Sequence, residues 1–214
     1  MGSCCVLQLT GLILGGVGMV GTLAATAMPQ WRVSAYVDSN IVVFETIWEG
    51  LWMDCISQLG IRLQCKFYDS LLALPPPLEA FRALMCLAVG LAILSFLLAI
   101  VGVKYSQPSK EGPQAVSIFI LAAGAAFLLT GTLVLVPVSW TGGSIVRDFY
   151  DPQVPVPLKR ELGAALFVGW ASSALQLAAG AMYCHCWCRA GAAAGPRYPW
   201  LARAGGSGGV HAYV

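Results

Sequence analysis

Cysteines are the most reactive side chains in this 214-residue chain, and their positions divide them by chemistry. Cys55 and Cys65 lie in one polar segment with nine residues between them. A pair of this kind in an oxidising compartment reads as a disulfide. Cys4, Cys5, Cys184, Cys186 and Cys188 crowd the edges of apolar stretches beside the two termini. Edge thiols in a reducing compartment are open to palmitoylation. Cys86 sits inside an apolar stretch. Zinc is a further chemistry to weigh, at Cys184, His185, Cys186 and Cys188. Structural zinc ligands come as Cys pairs with roughly two to four residues between them. Here the ligands are adjacent or alternate, so no metal or other cofactor is expected. No nucleophile and base are placed to meet, and no enzyme activity is expected.

The elements that carry these residues are apolar. Hydrophobic residues make up 58% of the chain and charged residues 10%, against about 25% charged in a soluble domain. The net charge of +2 and the lack of a long basic run give no reason to expect a nucleic-acid partner. Four stretches contain no Asp, Glu, Lys, Arg or His: 6–28, 83–103, 115–136 and 162–183. A helix crosses the bilayer core with about 20 apolar residues, so each stretch predicts a membrane span. A chain of this length cannot wrap four such helices in polar layers, which excludes a soluble core. The first stretch has no basic residue before it and is long for a signal peptide, so it is expected to stay in the membrane.

Four spans place both termini on one side. The connections are loops 29–82, 104–114 and 137–161, and the tail is 184–214. Lys and Arg number five on the side of the termini and seven on the side of the two longer loops, over 47 and 79 residues, so charge does not orient the chain. Cysteine does: a disulfide pair outside and reduced edge thiols inside put both termini in the cytoplasm. Loop 29–82 carries strand signals. Trp31, Val33, Ala35 and Val37 alternate with mostly polar residues, Asp38-Ser39-Asn40 is a turn signal, and Ile41–Phe44, Ile47–Cys55 and Leu63–Tyr68 are further strand-like runs. Gly60 marks the turn that a Cys55–Cys65 bridge would close. Trp31 and Trp52 lie close to the bilayer edge. Trp48 fits either the sheet or an aromatic belt at the bilayer edge.

These residues resemble the claudin family. Trp31, Gly50-Leu51-Trp52, Cys55 and Cys65 are similar to the family's first-loop signature. PQWRVSA (29–35), WEGLWMDC (48–55), YDSLLAL (68–74), PVSW (137–140), RDFY (147–150), KRELGAAL (159–166) and the terminal Tyr213-Val214 extend the likeness. NIVVFE (40–45) and QCKF (64–67) are most like the subgroup of claudins eight and seventeen. The resemblance implies a mainly α fold: a left-handed four-helix transmembrane bundle over residues 1–183, under a small extracellular antiparallel sheet whose fifth strand comes from the second loop. It implies a tight-junction adhesion protein of the plasma membrane that assembles with claudins of the same membrane and of the next cell, as a barrier or an anion-favouring pore. Trp31, Gly50, Leu51, Trp52 and Arg82 would be its signature residues, with Trp31 and Trp52 packed beneath the sheet. Phe81 stands before Arg82 where the family usually has a small residue. Asp151 stands where members that receive a clostridial enterotoxin carry Asn, which counts against toxin binding.

The resemblance also assigns roles. Lys66 holds the place that faces the pore, where a fixed lysine repels cations; the alternative is a solvated strand lysine. Asp38 and Glu49, with Glu45 and Asp54, act in the opposite direction. Leu71 would insert into a pocket of Phe149, Tyr150 and Leu162 on a neighbouring copy, or else cap its own bundle. Gly11, Gly15, Gly18 and Gly21 predict close helix packing, and Gln8, Thr10, Ser172 and Gln176 are candidates for bonds between helices. The end at Tyr213-Val214 suits capture by a PDZ scaffold, with the carboxylate in a backbone nest and the Gly205–Gly209 segment as tether. A transporter would need ionisable residues or broken helices at mid-membrane, and the four stretches have neither. An auxiliary subunit of another channel is the remaining alternative, since related four-span proteins share the Gly-Leu-Trp and cysteine pair.

Overall fold

The computed structural model describes residues 2–35, 45–58, 62–68, 76–105, 113–155 and 158–193. Among them are four long helices, α1 (Gly2–Ala27), α2 (Pro76–Tyr105), α3 (Pro113–Tyr150) and α4 (Ala164–Ala193). Each is long and apolar enough to cross a membrane. Lipid offers no hydrogen bonds, so a spanning backbone must satisfy itself, as a helix does. α1 packs against α2 and α4, and α3 closes the ring between them. Ile13, Val17, Leu97 and Leu129 point outward, exposed, where a bilayer would solvate them.

Small residues let the helices approach. A Cβ at Gly18 would lie 2.7 Å from Gln176 of α4, and one at Gly15 would lie 2.5 Å from the ring of Phe127 on α3. Gly11 and Gly21 likewise face α4. Of the polar candidates, Gln176 bonds between helices, its Nε2 donating to Thr22 Oγ1 at 2.9 Å. Gln8 accepts from the Tyr183 hydroxyl through its backbone carbonyl. Thr10 and Ser172 instead donate to carbonyls of their own helices, since a hydroxyl one turn along always has such an acceptor in reach.

Sequence boundaries move on three helices: α2 begins at Pro76, seven residues ahead of its expected span, and both α3 and α4 differ as well. Residues 137–150, expected as loop, continue α3; Pro137 lies inside the helix with its ring buried. Proline is tolerated in packed membrane helices because neighbours compensate the lost backbone bond. At 38 residues α3 is about 57 Å long, well beyond a hydrocarbon core of about 30 Å. Its final turns, with Arg147 and Asp148, therefore extend past the apolar slab and support the sheet. The fourth span begins at Ala164, because Leu162 belongs to a strand, and its helix runs on to Ala193, into the expected tail.

The strands are β1 (Arg32–Ser34), β2 (Glu45–Glu49), β3 (Met53–Gln58), β4 (Arg62–Phe67) and β5 (Arg160–Leu162). They form one antiparallel sheet in the order β4-β3-β2-β1-β5. The run Ile47–Cys55 is not one strand: Gly50-Leu51-Trp52 turns the chain between β2 and β3. Residues 36–44, which include the expected turn at Asp38 and the run Ile41–Phe44, and Gly60 lie outside the described residues. Two apolar clusters fill the bundle. The one at the sheet end contains Trp31, Leu51, Met85, Val138 and Leu166; the one at the end of the termini contains Phe127, Ala179 and Tyr183.

Candidate functional site

The signature residues meet where the sheet rests on the helix ends. Trp31 is 3% exposed, and its indole donates to the carbonyl of Ala25 at 2.9 Å. Trp52 donates to the carbonyl of Thr26 at 2.9 Å. Both carbonyls belong to the last turn of α1, which has no helical donors left to use. Leu51, 1% exposed, enters the core. Gly50 is required by contact, since a Cβ there would lie 2.5 Å from Cα of Pro29. Arg82 of α2 holds the turn from below. Its Nε donates to the carbonyl of Leu51, and its guanidinium lies 5.3 Å from the ring centre of Trp52 and 5.0 Å from that of Tyr68. A weakly hydrated planar cation between two aromatic faces suits this buried position.

Tyr68 continues the linkage. Its hydroxyl donates to Asp54 Oδ1 on β3. Burial pushes the Asp54 carboxyl above its ordinary range; the Tyr68 bond lowers it again, Glu49 raises it and Arg160 lowers it. Burial and the Asp54 carboxylate both push the Tyr68 hydroxyl upward. Glu49 is paired with Arg160 of β5 at 2.7 Å, which ties the edge strand to the sheet. Arg32 reaches Ser144 on α3 at 3.3 Å. A cavity of about 360 Å³ separates this face of the sheet from α2 and α3; Arg32, Glu49, Asp54, Tyr68, Phe81 and Thr141 are among its walls.

Register sorts the charges. Lys66 pairs with Asp54, Asp54 with Glu49, and Glu49 with Arg32 across β4, β3, β2 and β1. Residues directly opposite share a face, so these four form one charged row. Lys66 and Asp54 also line a common concavity of about 600 Å³ with Ile56, Gln64 and Phe67. The adjacent row holds Cys65, Cys55 and Trp48. Cys55 and Cys65 are bonded, as expected. Trp48 is half-buried within the sheet.

Phe149, Tyr150 and Leu162 come together from α3 and β5. With Ile145, Val146 and Phe167 they line an open concavity of about 370 Å³. Tyr150 is 78% exposed at its rim. Asp38, Leu71, Tyr213 and Val214 lie outside the described residues.

The edge cysteines fall on α1 and α4. Cys5 and Cys188 are exposed, and Cys4 and Cys184 are half-buried. Cys186 departs from the expectation of a modifiable thiol. It is 2% exposed, and its sulfur donates to the carbonyl of Cys4 on α1, a position closed to an acyl transferase. Cys184 faces Gly124 on α3 instead, so the two thiols point at different helices and do not converge on one point.

Sequence reasoning gave no role to Tyr68, Arg160 or Gly163. Tyr68 lies in the YDSLLAL string, yet only the fold shows that its hydroxyl meets Asp54. Gly163 is buried, and its amide donates to Trp31 O at 3.1 Å where β5 crosses the end of α1.

Comparison with known proteins agrees with this geometry. The chain is 56% identical to claudin-8 of Mus musculus over 182 residues, which is 85% of this chain and 81% of that protein. It is 56% identical to claudin-17 of Sus scrofa over 178 residues, 83% of this chain and 79% of that protein. Claudin-3 of Homo sapiens is 50% identical over 178 residues, 83% and 80% of the two chains. The model of the PMP-22/EMP/MP20/Claudin family matches residues 5–183, and the chain belongs to that family.

Proposed function

We propose that this protein is a structural and adhesion component of the tight junction. It polymerises with claudins in the plane of the plasma membrane, meets those of the next cell through its sheet, and controls paracellular ion passage. Both termini are cytoplasmic in this reading. The observation that carries it is the convergence of Trp31, Leu51, Trp52 and Arg82 beneath a disulfide-closed sheet. That arrangement anchors the sheet to the ends of α1 and α2.

Side-by-side assembly is supported by the concavity of Phe149, Tyr150 and Leu162. Leu71 of a neighbouring copy is the proposed knob. Burying one leucine contributes about 1.5–3 kcal/mol, enough when repeated along a polymer. Lys66 is the proposed selectivity residue and favours anions; Glu49, in the same charged row, opposes it, and Asp38 of the same loop is proposed to do so as well. A barrier without selectivity of its own is the second reading, favoured by the acids beside Lys66 in that row. Tyr213-Val214 is the proposed ligand of a junctional PDZ scaffold. Cys5 and Cys188 are the proposed sites of palmitoylation, which would hold the helix ends at lipid.

Expression in epithelial cells that lack claudins tests the proposal. Freeze-fracture should show continuous strands, and the chloride-to-sodium permeability ratio should fall in Lys66→Gln. Strands with an unchanged ratio would leave the barrier reading. Absence of strands together with stable co-purification of a channel subunit would favour an auxiliary role instead.

A further inference from the structure

Lys66 does not act alone on the face it shares. It stands directly opposite Asp54 in the β3–β4 ladder, and both line the concavity beside the disulfide. Cβ atoms so paired are about 5 Å apart, well inside the roughly 8 Å over which charges interact in physiological salt. Asp54 is also held. Tyr68 donates to its Oδ1, and the Tyr68 ring rests against Arg82, which is 7% exposed and fixed to the carbonyl of Leu51. A linkage of contacts therefore runs from a buried arginine of α2 to the carboxylate beside Lys66.

We propose that Asp54 is a second selectivity residue: it is the counter-charge that masks Lys66, and Tyr68 is its positioning residue. The idea rests on the reading of Lys66 as a residue of the ion path. Anion preference is then set by the balance of a fixed pair. Removing the carboxylate unmasks the lysine, while removing the lysine leaves an acid that favours cations.

The surroundings of Asp54 make that balance responsive to acid. Lys66 faces it from β4, Glu49 from β2 and Tyr68 from the segment after β4; Arg82 of α2 lies behind Tyr68, and Arg160 of β5 acts through Glu49. Its carboxyl is already raised, chiefly by burial. Acid in the intercellular space adds a proton to Asp54 before it reaches the range of an ordinary aspartate. The protonated acid no longer offsets Lys66, and the preference for anions rises.

The test is a mutant cycle in claudin-deficient epithelial monolayers, using the full-length chain and dilution potentials. Wild type, Asp54→Asn, Lys66→Gln and the double variant are compared, with surface delivery checked for each. The chloride-to-sodium ratio should rise about twofold or more in Asp54→Asn and fall in Lys66→Gln. The Asp54 effect should shrink in the Lys66→Gln background. If Lys66→Gln changes the ratio and Asp54→Asn does not, the pairing is wrong while the pore reading stands. If Lys66→Gln changes nothing, the pore reading itself fails. Acidifying the outer bath of wild-type monolayers stepwise from about pH 7.4 to about pH 4, the ordinary aspartate range, requires no folded variant and should raise the ratio. A flat or falling ratio would overturn the proposal. Tyr68→Phe should keep the strands and alter the pH at which the ratio changes, a readout that a purely structural role for the hydroxyl would not move.

Discussion

Gly163 lies against Gln30 so closely that a Cβ on it would stand 2.0 Å from the Gln30 carbonyl oxygen. The contact joins β5 and the start of α4 to the segment between α1 and β1. On either side of it, the Gly163 amide donates to Trp31 O and the Ala165 amide to Gln30 O at 3.1 and 3.0 Å. The obstacle is backbone, which has no rotamer to move into.

Gly163→Ala is therefore expected to separate β5 from β1 and to destabilise the protein by about 2 kcal/mol or more. Thermal unfolding of purified protein in detergent measures the loss, and surface delivery in cells should fall with it. An unchanged midpoint would show that the crossing can widen at no cost.

Loss of the disulfide should affect the sheet and spare the bundle. Cys55 and Cys65 are partners in register on β3 and β4, and closing so short a loop contributes roughly 3 kcal/mol. Cys55→Ser should insert normally in the membrane yet fail to form junctional strands by freeze-fracture. The double Cys55→Ser, Cys65→Ser variant should do no worse, since it leaves no thiol to mispair. Normal strands from the single variant would contradict this.

Arg82 should not tolerate lysine. An ammonium keeps the charge but lacks the planar surface that stacks between Trp52 and Tyr68. Arg82→Lys and Arg82→Ala are each expected to cost about 2–4 kcal/mol in unfolding measurements. Near-equal losses would locate the effect in stacking and geometry; full retention in Arg82→Lys would locate it in charge.

Deletion of Tyr213 and Val214 should abolish binding to a junctional PDZ domain in a pull-down and leave strand formation intact. The proposed assembly contacts are on the opposite side of the membrane from the tail. Unchanged capture of the truncated tail would remove the motif from the proposal.

Much of this architecture is one-dimensional information. The partition of charge along the chain is enough to place four helices, because each span needs only its own apolar residues. The Trp31, Trp52 and cysteine positions likewise announce a folded outer segment, since indole and a close cysteine pair each point to one local role. Tertiary structure decided what depends on partners distant in sequence. β5 has only three residues, too few for an alternation to show, and exists because β1 offers it an edge. Ile47–Cys55 is uniformly strand-like, yet turns at Gly50 because Pro29 and the end of α1 lie beneath it. α3 passes Pro137 because the packed neighbours keep that turn buried. Register does the same for function: Lys66 and Asp54 are twelve positions apart in sequence, and only the pairing of β4 with β3 sets one charge against the other.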